Sequence, residues 1–217
     1  MERWMFRAII KDSEEQKLRL ELNKHFDSVR AMVDNGKLMT ASLFIQDQNV
    51  FLYYENLEES IIPSELFSNV EPFLEKRPEV GTNKCWIPMN DIFHFSKPLS
   101  VDHWRRKGAV QARVALIARI KPDMLSSYIY YHYLLQEGHS TNDNKYCMIG
   151  LDENLIFYYE ELPKTVENQV KQDQRITHFP HNWQDTWQEL MEPHFIYWEE
   201  ASENDRKLKP CEFIFGC

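Results

Sequence analysis

A chain of 217 residues with 43% hydrophobic and 13% aromatic side chains has the means to bury a core, which excludes a disordered polypeptide. Its formal net charge of −9 argues against nucleic acid as a partner, because neutralising phosphates needs clustered lysine and arginine. No apolar run reaches the roughly 18 residues of a membrane span, and the charged start Met1-Glu2-Arg3-Trp4 lacks a signal-peptide apolar region.

Taken in chain order, residues 5–10 read as a strand. Residues 13–33 read as one helix, with apolar positions Leu18, Leu22, Val29 and Val33, stopping at Asn35-Gly36. Segments 38–45 and 50–55 form a hairpin, 70–76 reads as helical, and Asp91-Ile92-Phe93-His94-Phe95 as a closing strand. Residues 96–110, with Pro98 and Gly108, connect to the second half. There 113–120 is β-like, Pro122 breaks it, and Asp123 is placed to cap a helix over 124–136 that stops at Gly138. A strand over 145–151, a turn at 152–154 and a strand to Glu161 follow. Helices are predicted over 166–174 and 182–191, and Cys211-Glu212-Phe213-Ile214-Phe215 closes the order as a strand.

The two halves echo each other. Val50-Phe51-Leu52-Tyr53-Tyr54-Glu55 returns as Leu155-Ile156-Phe157-Tyr158-Tyr159-Glu160 at a spacing of 105 residues. That is a whole small domain and not a solenoid unit, whose period is about 20–50 residues. Strand–helix–strand–strand–helix–strand is the ferredoxin-like order, which leaves one sheet face to be covered. The expected fold is therefore α+β: tandem ferredoxin-like repeats forming an intramolecular α+β barrel. The first repeat is read over 1–98, a linker over 99–110 and the second repeat over 111–217. The chain is then a pseudo-dimer, free to oligomerise further.

Cys85, Cys147, Cys211 and Cys217 form no C-x-x-C pair, which suits free thiols in a reducing cytoplasm. Arg105-Arg106-Lys107 reads as part of a solvated connector. His178, His181 and His194 suggest a metal only weakly, since Pro180 works against helical pairing and no carboxylate is fixed nearby.

The chemistry-bearing residues gather in the second half. Tyr128 and His132 are spaced i, i+4 on one helix face, as are Trp183 and Trp187 on a later one. Tyr146 opens the next strand. Aromatic faces with polar tips suit a sugar ring and its hydroxyls. The same residues resemble the L-rhamnose mutarotase family. Pro122-Asp123, Tyr128 and His132 keep that family's intervals, Tyr146, Leu151 and Asp152 keep part of its next strand, and Trp187 and Met191 keep one tryptophan of its Trp-Trp pair, with Gln188 in place of the other. Glu212-Phe213-Ile214-Phe215 resembles its closing strand. The resemblance spans about 111–217; the first half shares only the scaffold, and places Ala41 opposite Tyr146.

The resemblance implies a cofactor-free epimerase that opens and recloses a reducing monosaccharide. His132, Tyr128 and Tyr146 would be catalytic, and Trp187, Trp183 and Asp152 would bind substrate. No metal, nucleic acid or membrane is expected, and a small-molecule sugar is the expected ligand. A non-catalytic sugar- or small-molecule-binding module on the same scaffold is the alternative. Burial of His132 in the core would count against the enzyme.

Overall fold

A computed structural model describes residues 1–57, 60–79, 81–138, 143–167 and 183–217, less the side chains of 137, 138 and 183–185. The strands are β1 (Glu2–Ile9), β2 (Leu38–Gln46), β3 (Asn49–Asn56), β4 (Arg77–Glu79), β5 (Thr82–Lys84), β6 (Ile87–Pro88), β7 (Asn90–His94), β8 (Ala112–Ile120), β9 (Met148–Asp152), β10 (Leu155–Leu162), β11 (Phe195–Ile196), β12 (Lys209–Pro210) and β13 (Glu212–Gly216). The helices are α1 (Glu15–Asn23), α2 (Phe26–Asp34), α3 (Pro63–Leu66), α4 (Val101–Trp104), α5 (Leu125–Gly138) and α6 (Trp183–Met191). The tandem α+β architecture expected from the sequence is what these elements build.

The chain divides into two compact units. One comprises Met1–Asn90, Pro98–Ala109 and Cys211–Cys217; the other comprises Asp91–Lys97 and Val110–Pro210. The first holds an antiparallel sheet in the order β13-β2-β3-β1-β6, and the second a sheet in the order β11-β8-β10-β9-β7, with β12 beside β8. Within each order four strands make the ferredoxin-like motif. The fifth comes from the other half of the sequence.

This is the main departure from the sequence reading. Segments 91–95 and 211–215 are strands, but neither closes its own half. β13 lies on β2, with Phe213 opposite Phe44, and β7 borders β9, where the Phe95 N–H donates to the Cys147 carbonyl at 3.3 Å. The fourth strands proper are the two-residue β6 and β11, too short to show alternation.

Smaller departures have local causes. The helix over 13–33 is two helices meeting at Lys24-His25, and beyond the break Phe26 stacks on Phe215 at 4.4 Å. Segment 70–76 is only a tight turn at Glu71–Phe73, for Leu74 leaves it extended and bridges Ile10. Asp123 lies in the turn Pro122–Met124 that leads into α5, and its side chain makes no hydrogen bond among the described residues. Regular pairing of β9 begins at Met148, not 145. The helix expected over 166–174 lies outside the described residues except Val166 and Glu167, and Val166 bridges Asn144.

The repeat register also changes. The hairpin turns place Asp47 and Glu153 at positive φ, 52° and 55°, and the strands pair as Gln46↔Asn49 and Asp152↔Leu155. Each of these matches sets the repeat at 106 residues. An offset wrong by one residue exchanges the two faces of a strand. In the true register Phe51, Tyr53 and Glu55 correspond to Phe157, Tyr159 and Glu161. The structure bears this out in detail, for Tyr53 donates to Glu55 and Tyr159 to Glu161, with Arg3 and Arg113 directly across the strands. Thr40, not Ala41, falls opposite Tyr146.

Glu55 is wholly buried and accepts from Tyr53, from the Trp104 indole at 2.8 Å and from both terminal nitrogens of Arg106. The connector is thus docked on the first unit through a buried ion pair, and Arg106 is not part of a solvated stretch. No helix among the described residues is long and apolar enough to cross a membrane.

Candidate functional site

Helix α5 brings its inward stripe against the second sheet. Leu125, Tyr128, Ile129, His132 and Leu135 follow the i, i+3, i+4, i+7 spacing, and all but His132 pack in a core with Ala118, Ile120, Ile149, Leu151 and Ile156. These sheet residues alternate along β8, β9 and β10, so they share one face. Tyr130 and Tyr133, on the other side of the helix, are exposed. His132 therefore occupies a position that the helix period assigns to the core, and it is 5% exposed.

Three rings enclose it. Tyr128 lies 4.2 Å away between ring centroids, Trp187 5.2 Å away nearly edge-on, and Phe93 5.6 Å away, also edge-on. Tyr128 in turn meets His194 at 5.8 Å and Phe195 at 6.0 Å. His132 Nδ1 lies 2.9 Å from the Tyr128 carbonyl, which accepts only, so Nδ1 carries the proton and Nε2 the lone pair. Nε2 makes no hydrogen bond among the described residues. Burial lowers the His132 pKa to about 4, against a weaker opposing pull from the Tyr128 carbonyl bond. Burial likewise pushes the Tyr128 phenol above its ordinary value. Both groups are held neutral across the physiological range.

His194 is buried too and differently used. Its Nε2 pairs with the Ser127 hydroxyl at 2.8 Å and its Nδ1 with the Met191 carbonyl at 3.2 Å. It ties α6 and the start of β11 to α5. Among the described residues no three of His, Cys, Asp and Glu are grouped to hold a metal, and His178 and His181 lie outside them.

Of the six residues singled out in the sequence, Tyr128, His132 and Trp187 come together. Tyr146 is buried ahead of β9, with Lys145 Nζ 5.6 Å from its ring, and Asp152 closes the β9–β10 hairpin; among the described residues no hydrogen bond or ring contact joins either to His132. Trp183 begins α6, and its side chain lies outside the described residues. Three ring partners were not placed at this site by the sequence. Phe93 comes from a segment that the sequence reading gave to the other half, and its only signal was the alternation of 91–95. Phe195 and His194 follow α6 in a stretch without periodicity. The first unit has a thinner counterpart, in which His25 stands edge-on to Phe67 at 6.2 Å.

The comparisons with known proteins do not support the mutarotase resemblance. No family model matches the chain, and no curated protein matches it. Two solved structures do. One, from Lactobacillus acidophilus NCFM and provisionally described as a monooxygenase, is 10% identical with a TM-score of 0.43, over 99% of this chain and 94% of that one. The other, described as an anthrone oxidase-like protein, is 7% identical with a TM-score of 0.36, over 99% of this chain and 92% of that one. Neither is a rhamnose mutarotase, and likeness at this level carries no activity over to this chain. The assignment to the L-rhamnose mutarotase family is withdrawn: its motifs here are short, and an i, i+4 Tyr–His pair is also what a core-facing helix stripe produces.

Proposed function

We propose that the second unit is a non-catalytic small-molecule-binding module, with the His132 cluster as its site. The observation that carries this is the state of His132: neutral, fixed by Tyr128 through Nδ1, and walled by three aromatic rings with Nε2 left as an acceptor. Such a site takes a ligand that offers a ring face or C–H face to Trp187 and one hydroxyl donor to Nε2. Sugars and phenols both have that chemistry. The four free thiols suit a cytoplasmic setting for it.

A second reading, interconversion of the anomers of a reducing sugar, rests on the same convergence of Tyr128, His132 and Trp187. It is the weaker one, because proton transfer is most efficient when the pKa of the group lies near the working pH. A histidine near 4 and a phenol above its ordinary value are displaced in opposite directions from that condition. Ligand-observed saturation-transfer NMR separates the two. With reducing hexoses and simple phenols as probes, the binding reading expects saturation to reach ring protons of a probe, to fall in Trp187→Ala, and to leave anomeric exchange at the buffer rate. Accelerated exchange that disappears in His132→Phe would establish the enzyme instead, and no transfer to any probe would remove both.

A further inference from the structure

The outer edge of β8 is bordered twice. β11 pairs with it at Ile120 and Arg119, and β12 at Ile117 and Leu116. The chain between these short strands carries Trp198, which is 2% exposed and whose backbone N–H donates to the Arg206 carbonyl at 2.7 Å. Two cations converge on the indole. The guanidinium carbon of Arg119 lies 3.8 Å from the ring centroid and the Lys209 Nζ 5.0 Å from it. Glu200 Oε1 lies 3.6 Å from Lys209 Nζ, and the Glu200 side chain is largely exposed.

The hydrogen-bond inventory at this ring is lopsided. The Trp198 Nε1–H is buried and has no acceptor. Arg119 is exposed, and no carboxylate among the described residues pairs with it. In a chain with 34 acidic and 25 basic residues, an arginine held on a ring yet left without an acid is not accounted for by charge neutralisation. The guanidinium carbon sits against the ring while its N–H groups make no hydrogen bond among the described residues, which leaves donors for a planar or tetrahedral oxyanion. The order of the rings has already been established by folding, so a ligand need not order the arginine itself.

We propose that the rim of Trp198 is an oxyanion site, in which Arg119 and Lys209 hold a phosphate or carboxylate group and the indole N–H is a further donor. It is separate from the His132 cluster and does not depend on the reading given to that cluster. The Trp198 indole N–H and the Arg119 guanidinium have no acceptor among the described residues, and a ligand's oxyanion would supply one.

The test uses the full chain at low ionic strength, about 20 mM, because exposed charges are screened at higher salt. The Trp198 indole N–H resonance, assigned through Trp198→Phe, is followed while inorganic phosphate or citrate is added. The expected result is a saturable shift that salt reverses. Arg119→Gln should weaken binding about tenfold or more, and Lys209→Gln should weaken it as well. Arg19→Gln, which removes a cation already paired with Glu212 in the other unit, should leave it unchanged. A response to phosphate alone identifies a phosphate site and a response to citrate alone a carboxylate site. No shift with either anion, or a shift equally strong in Arg119→Gln with its other resonances in place, overturns the proposal.

Discussion

His132 shows how one buried side chain ties stability to pH. Its folded pKa of about 4 lies below the ordinary 6.5, so between these values the unfolded chain binds the extra proton. Stability must then rise with pH across that window, be fully present above about 6.5, and be lost as pH falls toward 4. The contribution is on the order of 3 kcal/mol. Urea unfolding at pH 7 and pH 4.5 measures it: His132→Phe, which keeps a ring among rings, should remove most of the pH-dependent difference from wild type. An equal loss of stability in the variant would show that other groups carry it. Cys147 offers a second check. Burial pushes its thiol up to about 12, whereas Cys211 and Cys217 are partly accessible. Since the thiolate is the reactive form, iodoacetamide at pH 8 should modify Cys211 and Cys217 in the native protein and spare Cys147 until it unfolds.

Among the elements, the docked connector and the exchanged strands carry the sharpest consequences. Glu55→Ala removes the buried acceptor shared by Tyr53, Trp104 and Arg106 and takes its carboxylate from the mostly buried Arg106 guanidinium. The expected cost is about 3–5 kcal/mol, read as a lower urea midpoint, with Glu55→Gln costing less. Removing residues 211–217 deletes β13 from the edge of β2 and takes Phe215 from beside Phe26. Hydrogen exchange should then quicken in Leu38–Gln46, in the first half of the sequence, while β8 and β10 keep their protection. Quickening in β8 and β10 instead would contradict the strand exchange. Long alternating strands such as β8 and β10 were legible because burial on a sheet face imposes period two. Segments 91–95 and 211–215 were legible as strands but not in their pairing, because local pattern does not name a partner. β6 and β11 were not legible at all, since two residues cannot display a period.

At the scale of the whole chain, the duplication is real but its register is not the one that sequence identity suggests. The echo aligns Tyr-Tyr-Glu with Tyr-Tyr-Glu at 105 residues; the turns and the Tyr-to-Glu bonds align at 106. Identity of side chains prevailed over their facing, which only the pairing reveals. The same limit explains the site. Tyr128 and His132 announce themselves by i, i+4 spacing, but that spacing equally describes a core stripe, and Phe93 reaches the cluster only because β7 borders the other half's sheet. What remains distinctive is a neutral histidine with one nitrogen fixed and the other an acceptor inside an aromatic wall. The most direct test is a nitrogen-15 correlation spectrum of the His132 imidazole, recorded from pH 8 to pH 5 with and without a hexose or phenol that shows saturation transfer. The account predicts a single neutral tautomer, protonated on Nδ1, throughout this range, and a shift of Nε2 when the probe is added. Titration near the ordinary 6.5, or an Nε2 resonance that no bound probe moves, would contradict it.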